Sequence, residues 1–204
     1  MTVLRWLVIV VFGAAALAST SQPRTTALRF GAVVTGLGPA IRDAVVVIEG
    51  DRIVRVGAGD RLVPAGADVV DLRPLTAIPG LIDAHTHMTY YWDPASGTQP
   101  LRQARREPAQ TVELSAANAR RTLEAGVTTV RDLGASGGTD YSMRDLINAG
   151  KMIGPRMFVS GQGISAGRAG GPGAGAMPAL VEARVKAGSD WIKVYASRGS
   201  FQSV

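Results

Sequence analysis

The sequence predicts an α/β protein in which a small β-rich region precedes a parallel sheet built from alternating strands and helices. Residues 28–71 contain short runs rich in Val and Ile, and turn residues separate these runs. After Pro79, strand-like and helix-like patterns alternate, which is typical of βαβ units. The chain has 204 residues, 46% of them hydrophobic, and is therefore long enough to bury a core.

The β-rich region is predicted to contain four strands. The tetrapeptide Glu49-Gly50-Asp51-Arg52 predicts a hairpin turn between the second and third of them. None of its residues suggests catalysis, so we expect this region to be structural. The predicted strands span residues 28–35, 44–49, 52–56 and 68–72.

Beyond Pro79, four strands are predicted at residues 80–84, 127–132, 156–160 and 190–196, with three helices between them. Pro108 suits the first turn of the first helix, which Gly126 ends. The apolar stripe of that helix is predicted to comprise Val112, Ala116, Ala119 and Leu123.

Two further helices follow from capping signals. Asp140 is predicted to cap the second helix, which stops at Gly150. The third helix is predicted over residues 178–187 and ends at Gly188. In the second strand, Arg131 and Asp132 should lie on opposite faces. We interpret them as ion-paired groups that support the structure or the site; the alternative is a direct catalytic role.

Two loops are long enough to carry function. The loop over residues 88–107 contains Tyr90, Tyr91 and Trp92, which would either contact a substrate or form the packing core of the loop itself. The segment 161–175 is rich in glycine, but no Gly-Lys-Ser/Thr ending supports a phosphate site there.

His85 and His87 are the only histidines of the chain. At positions i and i+2 of a strand they point to the same side, so they are candidate ligands of one metal ion. The alternative is a pair of ordinary polar residues at the end of a strand. The chain has no cysteine, so any metal would be held by His, carboxylates or a modified Lys.

Four segments carry a family resemblance. Residues 79–87, 124–134, 154–161 and 187–195 resemble, in this order, the imidazolonepropionase-like and prolidase-like branch of the amidohydrolase superfamily. The similarity runs from about residue 28 to 204. It implies the N-terminal part of a metal-dependent hydrolase TIM (β/α)8 barrel, incomplete with about four strands and preceded by a small β-sandwich. The domains would be residues 28–77 for the β-sandwich portion and 78–204 for the first half of the barrel.

Lys193 lies between bulky apolar residues that favour burial, and a buried ammonium tends to lose its proton. Alternatively, it reaches solvent or pairs with a carboxylate. The resemblance implies that Lys193 is N6-carboxylated and bridges two divalent metal ions, most simply zinc, and that His85 and His87 hold the more buried ion.

The resemblance implies hydrolysis of a C–N bond by a metal-activated hydroxide, in a small-molecule amide, dipeptide or cyclic amide. The histidines expected on strands 5 and 6 and the catalytic aspartate expected on strand 8 are absent, so the catalytic residue is unknown. We therefore expect a truncated hydrolase. The alternatives are an inactive metal- or partner-binding fragment and an assembly completed by a second chain or by homo-oligomerisation.

The N-terminus predicts export. Arg5 precedes an apolar run over residues 6–18 that ends in Ala16-Leu17-Ala18, the pattern of a signal peptide cleaved after Ala18. Residues 1–18 would be removed, giving a periplasmic or secreted protein without stable membrane association. The alternative is that the apolar run is retained as an uncleaved membrane anchor. The net charge of +6 comes from scattered arginines with no nucleic-acid-binding motif, so we expect no nucleic-acid partner.

Overall fold

The computed structural model describes residues 24–90, 108–165 and 173–195. The chain divides into two compact units, one ending at Pro79 and the other beginning at Gly80. The predicted signal peptide, most of the aromatic loop and residues 166–172 of the glycine-rich segment lie outside the described residues. No helix in the described ranges has the length and hydropathy needed to cross a membrane.

The N-terminal unit contains one four-stranded sheet where the β-sandwich portion was predicted. Its strands are β1 (Thr25–Val33), β2 (Ile41–Glu49), β3 (Arg52–Ala58) and β4 (Asp68–Ala77). They are arranged in the order β3-β2-β1-β4, and only the β1–β4 pairing is parallel. The four predicted strands are confirmed; the first three agree within three residues at each end, whereas β4 runs five residues beyond its predicted end.

The predicted hairpin between β2 and β3 is also confirmed. Glu49 pairs with Arg52, and Gly50 has a φ of 61°, which a glycine adopts without strain. Alternate residues of β2 are buried on opposite faces of the sheet: Val45 and Val47 belong to one apolar cluster, and Ala44 and Val46 to another.

The C-terminal unit is built around a parallel three-stranded sheet in the order β5-β6-β7. The strands are β5 (Leu81–Thr86), β6 (Val127–Asp132) and β7 (Arg156–Val159). Helix α1 (Pro108–Glu124) precedes β6, and α2 (Thr139–Asn148) precedes β7. A third helix, α3, spans Met177–Lys186, as predicted within one residue at each end.

The core of this unit lies between the sheet and the helices α1 and α2. In α1 the buried residues are Ser115 and Ala119, whereas Val112 is half exposed, so the predicted apolar stripe is wrong at its first position. The helix instead turns a mixed face of small and polar residues to the sheet. The buried apolar residues of this core are Met88, Ala119, Val130, Met143, Met157 and Val159.

The prediction that Asp140 caps α2 is wrong. The residue preceding the helix is Gly138, with a φ of 71°, and it makes no side-chain cap. Asp140 lies in the first turn, where its carboxylate accepts the amide N–H of Gly161 at 2.6 Å. The fully buried carboxylate therefore ties the start of α2 to Gly161, two residues beyond the end of β7.

The fourth strand predicted at residues 190–196 is not regular in its described part. It is reduced to one parallel bridge between Ile164 and Val194. The amides of Asp190 and Trp191 both donate to the carbonyl of Val159, and the carboxylate of Asp190 accepts the Val159 amide N–H. A side chain thus takes the place of a backbone acceptor beside β7, which interrupts the ladder.

We predict that Gly80→Ala destabilises the C-terminal unit, because a Cβ at this position would lie 2.7 Å from the Cβ of Thr128. The expected loss is about 1–3 kcal/mol in the free energy of unfolding, measured by urea denaturation. Gly175→Ala is the control, since a Cβ there meets nothing within 4 Å. In the Thr128→Gly background the cost of Gly80→Ala should shrink. Equal stability of Gly80→Ala and the control variant would contradict the close approach.

Candidate metal centre

The two histidines lie at the carboxyl end of β5. His85 is the penultimate residue of the strand and His87 follows its last residue. Their ring centroids are 5.3 Å apart and the ring planes are inclined by 63°. Two imidazoles that bind one tetrahedral ion at about 2.0–2.1 Å have ring centres roughly 5 Å apart, so the observed spacing fits a shared ion.

A backbone carbonyl fixes the orientation of His87. Its Nδ1 lies 3.0 Å from the carbonyl oxygen of Gly134. A carbonyl can only accept, so Nδ1 carries the proton and the lone pair of Nε2 is available to a metal. A Cβ on Gly134 would lie 3.2 Å from Cε1 of His87, so glycine permits this approach. On its other side, His87 stacks on Tyr90 with ring centroids 4.3 Å apart.

Asp132 fixes the backbone on both sides of this contact. Its fully buried carboxylate accepts the amide N–H of Met88 at 2.7 Å through one oxygen and that of Gly134 at 3.1 Å through the other. Burial raises the pKa of Asp132 to about 6, and the two amides oppose that rise. At neutral pH the side chain is therefore mostly ionised, the form in which both oxygens accept hydrogen bonds.

Asn118 of α1 adds a second restraint to the segment after His87. Its amide nitrogen donates to the carbonyl oxygens of Met88 at 2.9 Å and of Tyr90 at 2.8 Å. Sequence reasoning missed Asn118 and Gly134. Asn118 is a polar residue within a helical pattern and gives no distinctive signal. Gly134 could have been identified from the sequence, because it is a glycine that closely follows the end of β6.

Arg131 lies on the opposite face of β6 from Asp132, as predicted. Its Nε donates to the carbonyl oxygen of Ala84 at 2.7 Å, and its guanidinium carbon is 5.0 Å from the ring centroid of Trp191. The prediction that Arg131 and Asp132 are ion-paired is wrong, because neither forms a salt bridge with any residue in the described ranges. Each binds backbone groups of the histidine segment instead.

The environment of His85 keeps its imidazole neutral. His85 is largely exposed, and the limited desolvation that it undergoes lowers its pKa. The positive charges of Lys193 and Arg131 lower this pKa further, whereas Asp83 opposes the shift. The neutral imidazole is the form that binds a metal. The amide N–H of His85 donates to a carboxylate oxygen of Asp83 at 3.0 Å.

Lys193 acts on the same site but is less buried than the sequence predicts. Its side chain is half-buried, its Nζ lies 5.4 Å from the ring centroid of Tyr195, and its carbonyl accepts the amide N–H of Ile164. The neighbouring Trp191 and Tyr195 are 49% and 44% exposed, so the apolar flanks do not enclose the lysine. Its charge lowers the pKa of His85, so Lys193 lies within electrostatic range of the first histidine.

The donor set fits part of a divalent metal site. The described residues contain no cluster of three or more His, Cys, Asp or Glu side chains, so His85 and His87 are the imidazole ligands offered here. The charges that act on His85 are those of Lys193, Arg131 and Asp83, and the carboxylate of Asp132 lies near His87. The cations of Lys193 and Arg131 oppose a dication beside His85, and conversion of Lys193 to an anion would replace one of them with an attractive group.

We predict a pH-dependent contribution of Asp132 to stability. Because its pKa of about 6 in the folded protein exceeds the ordinary value of 3.8, the folded state binds this proton more tightly than the unfolded state. The free energy of unfolding, measured relative to Asp132→Asn, should therefore fall by up to about 3 kcal/mol as the pH rises from about 4 to about 6. Denaturant titrations at pH 4, 5, 6 and 7 measure this difference.

The matched control is Asp145→Asn, which removes an exposed carboxylate. The difference between the wild type and this variant should not show the same fall over that pH interval. A flat profile for Asp132→Asn, or one of opposite sign, would contradict the assigned environment of the carboxylate.

Comparison with known proteins supports a hydrolase fold. The amidohydrolase family matches residues 76–204. Ochratoxinase from Aspergillus niger is 29% identical over 156 residues, which cover 73% of this chain and 30% of ochratoxinase. Imidazolonepropionase from Streptomyces griseus is 42% identical over 53 residues, which cover 26% of this chain and 13% of that enzyme.

A solved structure agrees over a longer stretch. The crystal structure of a Xaa-Pro dipeptidase with methionine bound in its active site superposes with a TM-score of 0.70 at 28% identity. The alignment covers 83% of this chain and 46% of the dipeptidase chain, so this chain spans less than half the length of the proteins it resembles. The resemblance to imidazolonepropionase-like and prolidase-like proteins is confirmed, as is the N-terminal part of a TIM-barrel architecture. The chain belongs to the amidohydrolase family.

Proposed function

We propose that this chain contributes to a metal-dependent hydrolase that cleaves C–N bonds in small molecules, with His85, His87 and Lys193 as metal ligands. Family membership over residues 76–204 supports the reaction class. The observation that carries the proposal is the contact between Nδ1 of His87 and the carbonyl of Gly134, which leaves Nε2 available beside the neutral imidazole of His85.

The charge balance of the site supports carboxylation of Lys193. Once deprotonated, its Nζ would attack carbon dioxide, forming an N–C bond and releasing a second proton to solvent. The product is an anionic carbamate, so the charge at this position changes from +1 to −1. That change replaces a repulsive group near His85 with an attractive one and makes a site for two divalent ions, such as zinc, electrostatically reasonable.

Divalent ions supply water activation at neutral pH and polarisation of the scissile carbonyl in hydrolases of this kind. The residues of this chain prepare the ligands for that role. Gly134 and Asp132 orient His87, and desolvation together with the charge of Arg131 favours the neutral form of His85. Since the sequence has only two histidines, a third imidazole would come from outside these 204 residues, for example from a completing chain.

The relatives indicate only the broad class of the substrate. Their names include a dipeptidase, an imidazolonepropionase and an ochratoxinase. We propose a small amide, dipeptide or cyclic amide as substrate, to be tested with a panel of Xaa-Pro dipeptides, N-acyl amino acids and cyclic amides. Zinc-dependent hydrolysis by the wild type that is lost in Lys193→Ala would support the enzyme. Zinc binding without hydrolysis of any member would support a binding role instead.

We predict that the full chain binds zinc through the two histidines. Equilibrium dialysis with metal analysis should show that His85→Ala and His87→Ala each weaken zinc binding more than about 10-fold, since each removes a ligand. In ¹³C-bicarbonate, the wild type should show a carbamate carbon resonance that is absent in Lys193→Ala. Lys151→Ala, which removes an exposed lysine, is the control and should retain both signals. Unchanged zinc binding in both histidine variants would contradict the proposed centre.

We also propose that the protein is exported, from Arg5, the apolar run at 6–18 and the Ala16-Leu17-Ala18 ending. Expression in a bacterial host with a Sec pathway should yield a periplasmic or secreted chain that begins at Ser19, as read by N-terminal sequencing. A chain retained in the cytoplasm with residues 1–18 intact would contradict export.

A further inference from the structure

The strand that carries His85 is irregular at the residue before it. In the pairing of β5 with β6, Asp83 is opposite Val130 and Thr86 is opposite Asp132. Three steps along β5 therefore correspond to two steps along β6, which is the signature of a β-bulge at Ala84 and His85. Such an insertion redirects side chains and interrupts the backbone ladder.

Side chains take over the hydrogen bonding of this bulge. The carbonyl of Ala84 accepts the Nε–H of Arg131 at 2.7 Å, and the amide of His85 donates to Asp83 at 3.0 Å. The peptide unit that joins Ala84 to His85 is thus restrained through both of its polar atoms. The direction of the His85 side chain depends on this restraint, because a change in the bulge turns the residue relative to the strand.

Arg131 also reaches the segment that carries Lys193. Its guanidinium lies over the ring of Trp191, with 5.0 Å between the guanidinium carbon and the ring centroid. The backbone amide of Trp191 donates to the carbonyl of Val159, so the indole is attached to the end of β7. One side chain of β6 therefore contacts β5 on one side and the segment two residues before Lys193 on the other.

We propose that Arg131 is a positioning residue that sets His85 and the Lys193 segment for metal binding; the inference rests on the proposed function, because it takes these residues as ligands. Arginine suits the role better than lysine. Its planar guanidinium donates through Nε in the plane while its face lies on an aromatic ring, whereas an ammonium group offers no such plane.

The test uses the full chain and the variants Arg131→Met, Arg131→Lys and Trp191→Leu. The control is Arg156→Met, which removes an exposed arginine from β7. Zinc affinity is measured by competition with a chromophoric chelator, and hydrogen exchange of the His85 amide is measured without metal. Circular dichroism confirms that each variant is folded. The exchange readout reports on the bulge directly and needs neither metal nor activity.

Arg131→Met should weaken zinc binding about 10- to 100-fold, the range found for groups that orient metal ligands, and should accelerate exchange of the His85 amide. Trp191→Leu removes only the stacking contact and should weaken binding about 2- to 5-fold. Arg131→Lys should fall between the wild type and Arg131→Met, and Arg156→Met should match the wild type. Because Trp191 is half exposed, its variant keeps the test decisive if Arg131→Met does not fold.

The outcomes separate the two proposals. If His85→Ala weakens zinc binding but Arg131→Met and Trp191→Leu change neither zinc affinity nor exchange of the His85 amide, the role of Arg131 is overturned and the metal centre stands. If zinc binding does not depend on His85, the proposed function fails. In that case, faster exchange in Arg131→Met would restrict Arg131 to support of the bulge and would overturn its part in metal binding.

Discussion

The buried carboxylate of Asp132 is the interaction on which the site depends most. It accepts the amide that follows His87 and the amide of Gly134, whose carbonyl in turn accepts the proton on Nδ1 of His87. One side chain thus fixes a histidine and the group that orients it. Burial raises the pKa of Asp132 to about 6, and the same loss of hydration makes the ionised side chain oppose folding at neutral pH. A cost of this kind is common where geometry serves function rather than stability.

Two consecutive residues of β6 support the backbone at the two ends of the histidine segment. Asp132 faces the helices and holds the backbone after His87, whereas Arg131 faces the other side and holds the backbone before His85. This arrangement follows from strand geometry, because neighbouring side chains point to opposite faces. On the side of His87, Asn118 binds the backbone that follows the histidine and Tyr90 stacks on the imidazole. The positions of both histidines are therefore determined by the contacts of these surrounding residues rather than by packing of the imidazoles themselves.

The sequence predicted the elements well and their local connections less well. The bounds of β6 and the hairpin between β2 and β3 were recovered because alternation, glycine and turn residues carry local signals. The role of Asp140 was not recovered, because its acceptor bond to Gly161 joins residues 21 positions apart. The irregular segment after Asp190 was missed for the same reason. The carboxylate of Asp190 binds the backbone of β7, where a neighbouring strand was predicted.

The candidate site, too, was predictable from the sequence only in part. The pair His85 and His87 was readable from spacing, but the bulge before His85 depends on Arg131, and the orientation of His87 depends on Gly134. Diffraction from crystals grown with zinc and bicarbonate, recorded at the zinc absorption edge, would show directly whether the two histidines and Lys193 bind the metal. We expect an anomalous peak about 2.0–2.1 Å from a nitrogen of each histidine, with carbamate density on Lys193. A zinc peak held by other residues, with both imidazoles turned away, would contradict it.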